Sequence, residues 1–143
     1  MTTRGSYPRS ALVDSGATLA LANTNDSNHE TAVRIHANLV TAHAQLFKTT
    51  YLVDETYTLI LARMGYQFAI RFLDELRAGS VSIVRITPVD EEQAEELLRR
   101  HDDKRFSYTD ATSFVVMERL NLEAAFTFDK NFTEYGRIRV LTP

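Results

Sequence analysis

The strongest constraint on this chain is a repeated change of period. Apolar runs of four to seven residues alternate with stretches whose apolar residues recur every three or four positions. A two-residue period places side chains on both faces of a strand, and a 3.6-residue period places them on one side of a helix. The run SALV at 10–13 ends at Asp14, Ser15 and Gly16 and reads as a first strand, followed by a short helix over 17–23 and a loop over 24–28. Ala32, Ile35, Leu39 and Ala42 mark an amphipathic helix from His29 to about Gln45. FKTTYLV at 47–53, rich in aromatic and β-branched residues, reads as a second strand, with a helix from Asp54 to about Arg63. Gly65 separates that helix from one that runs to about Arg77. VSIVRI at 81–86 is a third strand. Pro88 and Asp90 open a helix with Arg99, Arg100 and His101 in its last turn, and RFSYTDATSF at 105–114 leads into another. EAAFTF at 123–128 and residues 137–141 supply strands four and five. The expected fold is α/β, three layers with a mostly parallel five-stranded sheet flanked by helices.

Composition narrows the chemistry. With 143 residues, 44% of them hydrophobic, the chain fits one domain over 10–143, with residues 1–9 (MTTRGSYPR) as a disordered tail. No apolar stretch approaches the roughly 18 residues of a membrane span, so no membrane association is expected. The balance of 16 basic against 19 acidic residues argues against holding nucleic acid by bulk positive charge. The absence of cysteine excludes thiol catalysis and zinc–thiolate sites, and fits an intracellular, cytoplasmic location.

Parallel sheets bind ligands beyond the carboxyl ends of their strands, where strand order reverses. Asp14 and Asp129 directly follow apolar strands, and Glu55 and Asp110 stand at helix starts, so the topology points at least three of the four acids toward one region. Each has a plainer explanation. Asp110 also reads as the fourth member of a capping box with Ser107, Asp14 as a turn residue in D-S-G, Glu55 as a first-turn acid favoured by the helix dipole, and Asp129 as the opening of a turn in F-D-K-N-F. Four acids at such positions in one small domain are harder to treat as separate accidents. Crowded carboxylates raise each other's pKa, a conflict that a divalent cation removes. Oxygen ligands without cysteine suit Mg²⁺ or Mn²⁺, and such a site supports phosphodiester hydrolysis.

LVDSGATLAL, YLVDETYTLILAR, FSYTDATSFVVMERL and FTFDKNF, in this order and spacing, resemble the PIN domain, and more narrowly the VapC-type toxin ribonucleases of toxin–antitoxin pairs. The likeness covers about residues 10–141. It implies a metal-dependent endoribonuclease in which Asp14, Glu55, Asp110 and Asp129 are the catalytic acids. Asp14, Asp110 and Asp129 would be metal ligands, and Ser15 and Thr127 would orient carboxylates or water, unless they are simply turn and strand residues. It also implies an RNA substrate, a small antitoxin protein as partner, and a homodimer. Ser15-Gly16 departs from the Thr-Ser pair usual after the first acid. Asp26 and His29 also match a loop and helix start common in these toxins; here they read as structural, a turn or cap residue and a first-turn histidine.

A site lined by acids receives a polyanion only with cations at its rim. Arg63, Lys104, Arg105 and Lys130 are the candidates for RNA contact, although each is equally an ordinary solvated surface charge. The segment 59–76 carries more apolar bulk than one buried helix face needs, and serves either a protein partner or a two-sided core. Two rival functions stand beside the nuclease: a catalytically silent PIN-like scaffold, and a receiver-like phosphoacceptor in which Asp14 takes a phosphoryl group. A receiver usually pairs adjacent acids near the first strand and places a lysine at the end of the last, and this chain has neither.

Overall fold

The structure is a computed structural model that describes residues 7–143. Four strands, β1 (Ser10–Val13), β2 (Gln45–Thr49), β3 (Ser82–Val84) and β4 (Ala124–Phe126), form a wholly parallel sheet in the order β3-β2-β1-β4. The helices between them are α1 (Ser15–Ala22), α2 (His29–Thr41), α3 (Thr50–Met64), α4 (Tyr66–Arg77), α5 (Pro88–Arg100), α6 (Tyr108–Leu120) and α7 (Lys130–Tyr135). Strand alternation builds the layers. On one face Leu12 of β1 and Ala125 of β4 pack with Leu97 of α5, Phe114 of α6 and Phe132 of α7. On the other, Val13 and Phe126 pack with Ala17 of α1 and Ile35 and Leu39 of α2. A third cluster joins Leu19 of α1, Ile60 of α3, and Phe72 and Leu76 of α4.

The chain adds β1, β2 and β3 in one direction and then returns to place β4 on the other side of β1. The order therefore reverses between β1 and β4, which fixes the crevice beyond their carboxyl ends as the ligand position of this topology.

Local chemistry corrects three sequence expectations. The second strand ends at Thr49, whose hydroxyl accepts the Leu52 amide and caps α3. Residues 50–53 thus join the helix despite their aromatic and β-branched character, because a cap and a packed face outweigh strand propensity. Glu55 consequently sits in the second turn of α3 and does not open it. The expected fifth strand is reduced to a single bridge between Ala125 and Val140, with the Ala125 amide on Arg139 O at 2.9 Å and the Leu141 amide on Ala125 O at 3.0 Å. The sheet thus has four strands, with the short helix α7 standing between β4 and that bridge. α2 ends at Thr41, and His43 in the left-handed region (φ 54°) turns the chain into β2 at Gln45.

Of the nine residues expected as a tail, 1–6 lie outside the described residues. Pro8 is buried, Arg9 N donates to the Glu123 carboxylate at 2.9 Å, and Arg9 O accepts the Gln45 amide at 2.8 Å. Asp26 and His29 have local partners: Asp26 accepts the Asn28 amide at 2.8 Å, and His29 Nδ1 lies 2.7 Å from Ala20 O. No helix among the described residues is long and apolar enough to cross a membrane.

Candidate active site

Asp14 is the first residue after β1 and the N-cap of α1. Its Oδ1 accepts the Ser15 amide at 2.9 Å and its Oδ2 accepts the Thr127 hydroxyl at 2.7 Å, in a buried position. Burial pushes its carboxyl up to about 6, and the nearby Glu55 charge adds to the rise, whereas the Thr127 and Ser15 hydrogen bonds and Lys48 oppose it. Thr127, just beyond β4, works in two directions: its hydroxyl donates to Asp14 and accepts the Asp129 amide at 3.0 Å. Strand pairing across the switch point sets this geometry, with Val13 opposite Phe126 and the Asp14 amide on Phe126 O at 3.0 Å.

Two further links complete a chain of hydrogen bonds. The Ser15 hydroxyl donates to Glu55 Oε1. On the other flank Asp129, N-cap of α7, accepts the Asn131 amide at 2.9 Å, and Asn131 Nδ2 donates to Asp110 Oδ2 at 3.0 Å. Asp110 closes the capping box of α6, with its amide on Ser107 Oγ and the Ser107 amide on its Oδ2, both at 3.0 Å. The series Glu55–Ser15–Asp14–Thr127–Asp129–Asn131–Asp110 therefore joins all four sequence-selected acids through three linking residues, partly by way of the backbone amides of Ser15, Asp129 and Asn131. The capping reading of Asp110 holds, and the oxygen that caps the helix also accepts the Asn131 side chain.

The acids alternate with linkers and do not converge. Among the described residues no three carboxylates or histidines gather closely enough to form a ready-made metal cage. The donors available are carboxylate and hydroxyl oxygens, a set suited to a hard cation, and Asp14 is the acid whose ionisation a cation would most favour. Glu55 is exposed and Asp129 partly buried, whereas Asp14 and Asp110 are buried. A cleft of about 500 Å³ beside Glu55 is lined by Tyr51, Asp54, Thr58, Leu59, Ala62 and Thr109.

The four cations expected at the rim differ in place. Lys130 is exposed beside Asp129, and Arg105 is exposed two residues before Ser107. Lys104 pairs with Asp103 at 3.7 Å. Arg63 is exposed in the last turn of α3, eight residues and so about 12 Å along the axis from Glu55. Sequence reasoning missed Asn131, because an amide in a turn-like stretch carries no ligand signal. It also missed Lys48, a lysine inside an apolar strand run, where the charge itself was the available signal.

The chain matches the PIN domain over residues 11–138. Over 129 residues it is 34% identical to the 23S rRNA-specific endonuclease VapC20 of Mycobacterium tuberculosis, covering 90% of this chain and 96% of that protein. It is 32% identical over 126 residues to a VapC ribonuclease of Archaeoglobus fulgidus, covering 86% of this chain and 79% of that protein. The crystal structure of Mycobacterium tuberculosis VapC20, a Sarcin-Ricin loop cleaving toxin, superimposes with a TM-score of 0.84 at 32% identity, covering 93% of this chain and 99% of that one. With the likeness running through every element that carries an acid of the site, the chain belongs to the PIN-domain family and, within it, to the VapC group.

Proposed function

We propose that this protein is a metal-dependent endoribonuclease, the toxin of a toxin–antitoxin pair, which hydrolyses RNA phosphodiester bonds at the Asp14–Glu55–Asp110–Asp129 site. The observation that carries the reading is the single hydrogen-bonded series joining all four acids at the switch point of the sheet. Relatives named as an rRNA-specific endonuclease and a ribonuclease support the reaction class.

Asp14, Asp110 and Asp129 are the residues we assign to one or two Mg²⁺ or Mn²⁺ ions, with Glu55 completing the acidic wall. A bound ion of this kind supplies charge neutralisation at the phosphate and a more acidic water. The protein's part is orientation. Thr127 and the Ser15 amide hold the two oxygens of Asp14 in place, the Ser15 hydroxyl ties Glu55 to that segment, and Asn131 links Asp110 to Asp129. The reaction we envisage is direct attack of water on phosphorus, a new P–O bond forming as the bond to the leaving sugar oxygen breaks and that oxygen takes up a proton, without a covalent intermediate; the Thr127 hydroxyl favours the charged form of Asp14 against its burial. Arg105 and Lys130 are the cations we assign to phosphate contact. The exposed Leu61, Tyr66 and Phe68 on α3 and α4 are the surface we assign to a protein partner, an antitoxin or a second copy of the chain.

The test is cleavage of total and ribosomal RNA with Mg²⁺ or Mn²⁺ and with EDTA. Wild type is expected to cut only with metal, and Asp14→Asn and Asp110→Asn to fold and lose activity at least about a hundredfold. A second reading, the catalytically silent scaffold, has its own observation in the lack of a converged acid cage among the described residues. Wild-type protein that neither binds Mn²⁺ nor cuts any RNA would favour it.

A further inference from the structure

Lys48, on β2, is 1% exposed, although a lysine is almost never fully buried without a charged partner. Its ammonium donates to Val13 O at 2.9 Å and to Thr56 Oγ1 at 3.2 Å, and lies 5.9 Å from the centre of the Phe72 ring. Both acceptors are neutral, and no carboxylate among the described residues forms a salt bridge with it. The acceptors are nevertheless particular: Val13 immediately precedes Asp14, and Thr56 immediately follows Glu55. One buried side chain thus grips the backbone neighbour of one acid and the side-chain neighbour of another, while Ser15 links the two acids themselves. Thr56 in turn donates to Leu52 O at 2.6 Å, which seats that contact within α3.

We propose that Lys48 is a positioning residue and an internal counter-charge for the Asp14–Glu55 half of the site, holding β1 and α3 in register from beneath and letting two neighbouring carboxylates persist before any cation arrives. The assignment deepens the nuclease reading, on which it rests for the role of the two acids. Burial drives the lysine down to about 7, and the charges of Asp14 and Glu55 pull it back up. A lysine that only filled volume would be insensitive to whether those acids carry charge.

That difference is measurable without metal or substrate. Urea midpoints near neutral pH in EDTA are compared for wild type, Lys48→Met, the pair Asp14→Asn/Glu55→Gln, and all three together. The midpoint change caused by Lys48→Met is expected to be at least twice as unfavourable with the acids present as with them neutralised. Equal changes in the two backgrounds overturn the counter-charge. If Lys48→Met alone does not fold, a folded triple variant supports the proposal, and an unfolded triple variant overturns it. In RNA cleavage Lys48→Met is expected to lower kcat at least tenfold and leave KM unchanged, because the ammonium never reaches the solvent. An unchanged kcat overturns the positioning role. Wild type inert toward RNA would instead defeat the nuclease reading, and the urea comparison would still decide whether Lys48 is a counter-charge.

Discussion

Asp110 uses one oxygen for two purposes: Oδ2 accepts the Ser107 amide and the Asn131 side chain. Asparagine retains an accepting oxygen and can keep the cap, whereas alanine abolishes both bonds. Asp110→Asn is therefore expected to change stability by less than about 1 kcal/mol and Asp110→Ala to cost about 1–2 kcal/mol, read from urea unfolding. Lys48 yields a prediction of different form. Its ordinary value is 10.5, and in the fold it titrates at about 7, so between these values the folded protein has released a proton that the unfolded chain still holds. Stability of the metal-free protein should rise as pH goes from about 7 toward 10, fall away again as pH is lowered from 10 to 7, and owe no further change to Lys48 below that. Above 10 the trend reverses, because Tyr108 and Tyr135 are pushed up to about 12 and their folded-state advantage fades there. Lys48→Met should flatten the rise; an identical slope in both proteins would exclude Lys48 as its source.

At the scale of the element, the boundary between β2 and α3 is set by Thr49, buried at the end of its strand and capping the next helix through Leu52 N at 3.1 Å. Thr49→Ala should destabilise by about 1 kcal/mol, and circular dichroism should show loss confined to helix, since the ladder to β1 and β3 uses backbone groups. The same boundary marks what could be read from the chain. Strands and helices announced themselves wherever period and punctuation agreed, as at SALV before Asp14, at Gly65 (φ 94°) between α3 and α4, at Pro88 and Asp90 opening α5, and at the capping box Ser107–Asp110. Where two signals competed, one hydroxyl decided, and the β-branched run 50–53 went into a helix. Residues 137–141 have strand-like composition but pair only once, because pairing depends on register with β4, which composition does not encode. Of the candidate site, the acids stood out as charges at strand ends and helix starts, and Ser15 and Thr127 stood out through the family resemblance. Asn131 and Lys48 did not, since they act through where the fold brings them.

For the whole molecule, the joining of the two halves of the sheet at β1 matters most. Asp90 on α5 receives both Arg119 Nε and Nη2 from α6 at 2.9 Å, which pins these helices together over one face, whereas α1, α3 and α4 share a separate cluster. The acids divide along the same line, with Asp110 on α6 and Asp129 at the start of α7, which packs with α5 and α6, and with Asp14 at the start of α1 and Glu55 on α3.

The central place of β1 has a consequence in time. A strand paired on both sides exposes its amides only when the whole domain opens, whereas a short terminal helix frays on its own. The Asp14 amide, bonded to Phe126 O, should exchange with deuterium at the rate of global unfolding, and the Asn131 amide, held by the Asp129 carboxylate in six-residue α7, many times faster. Equal exchange at the two positions would show that α7 does not open by itself. With unequal exchange, the series linking the acids has a permanent end and an intermittent one, and the interval during which Asp129 and Asp110 stand together becomes a clock for the site.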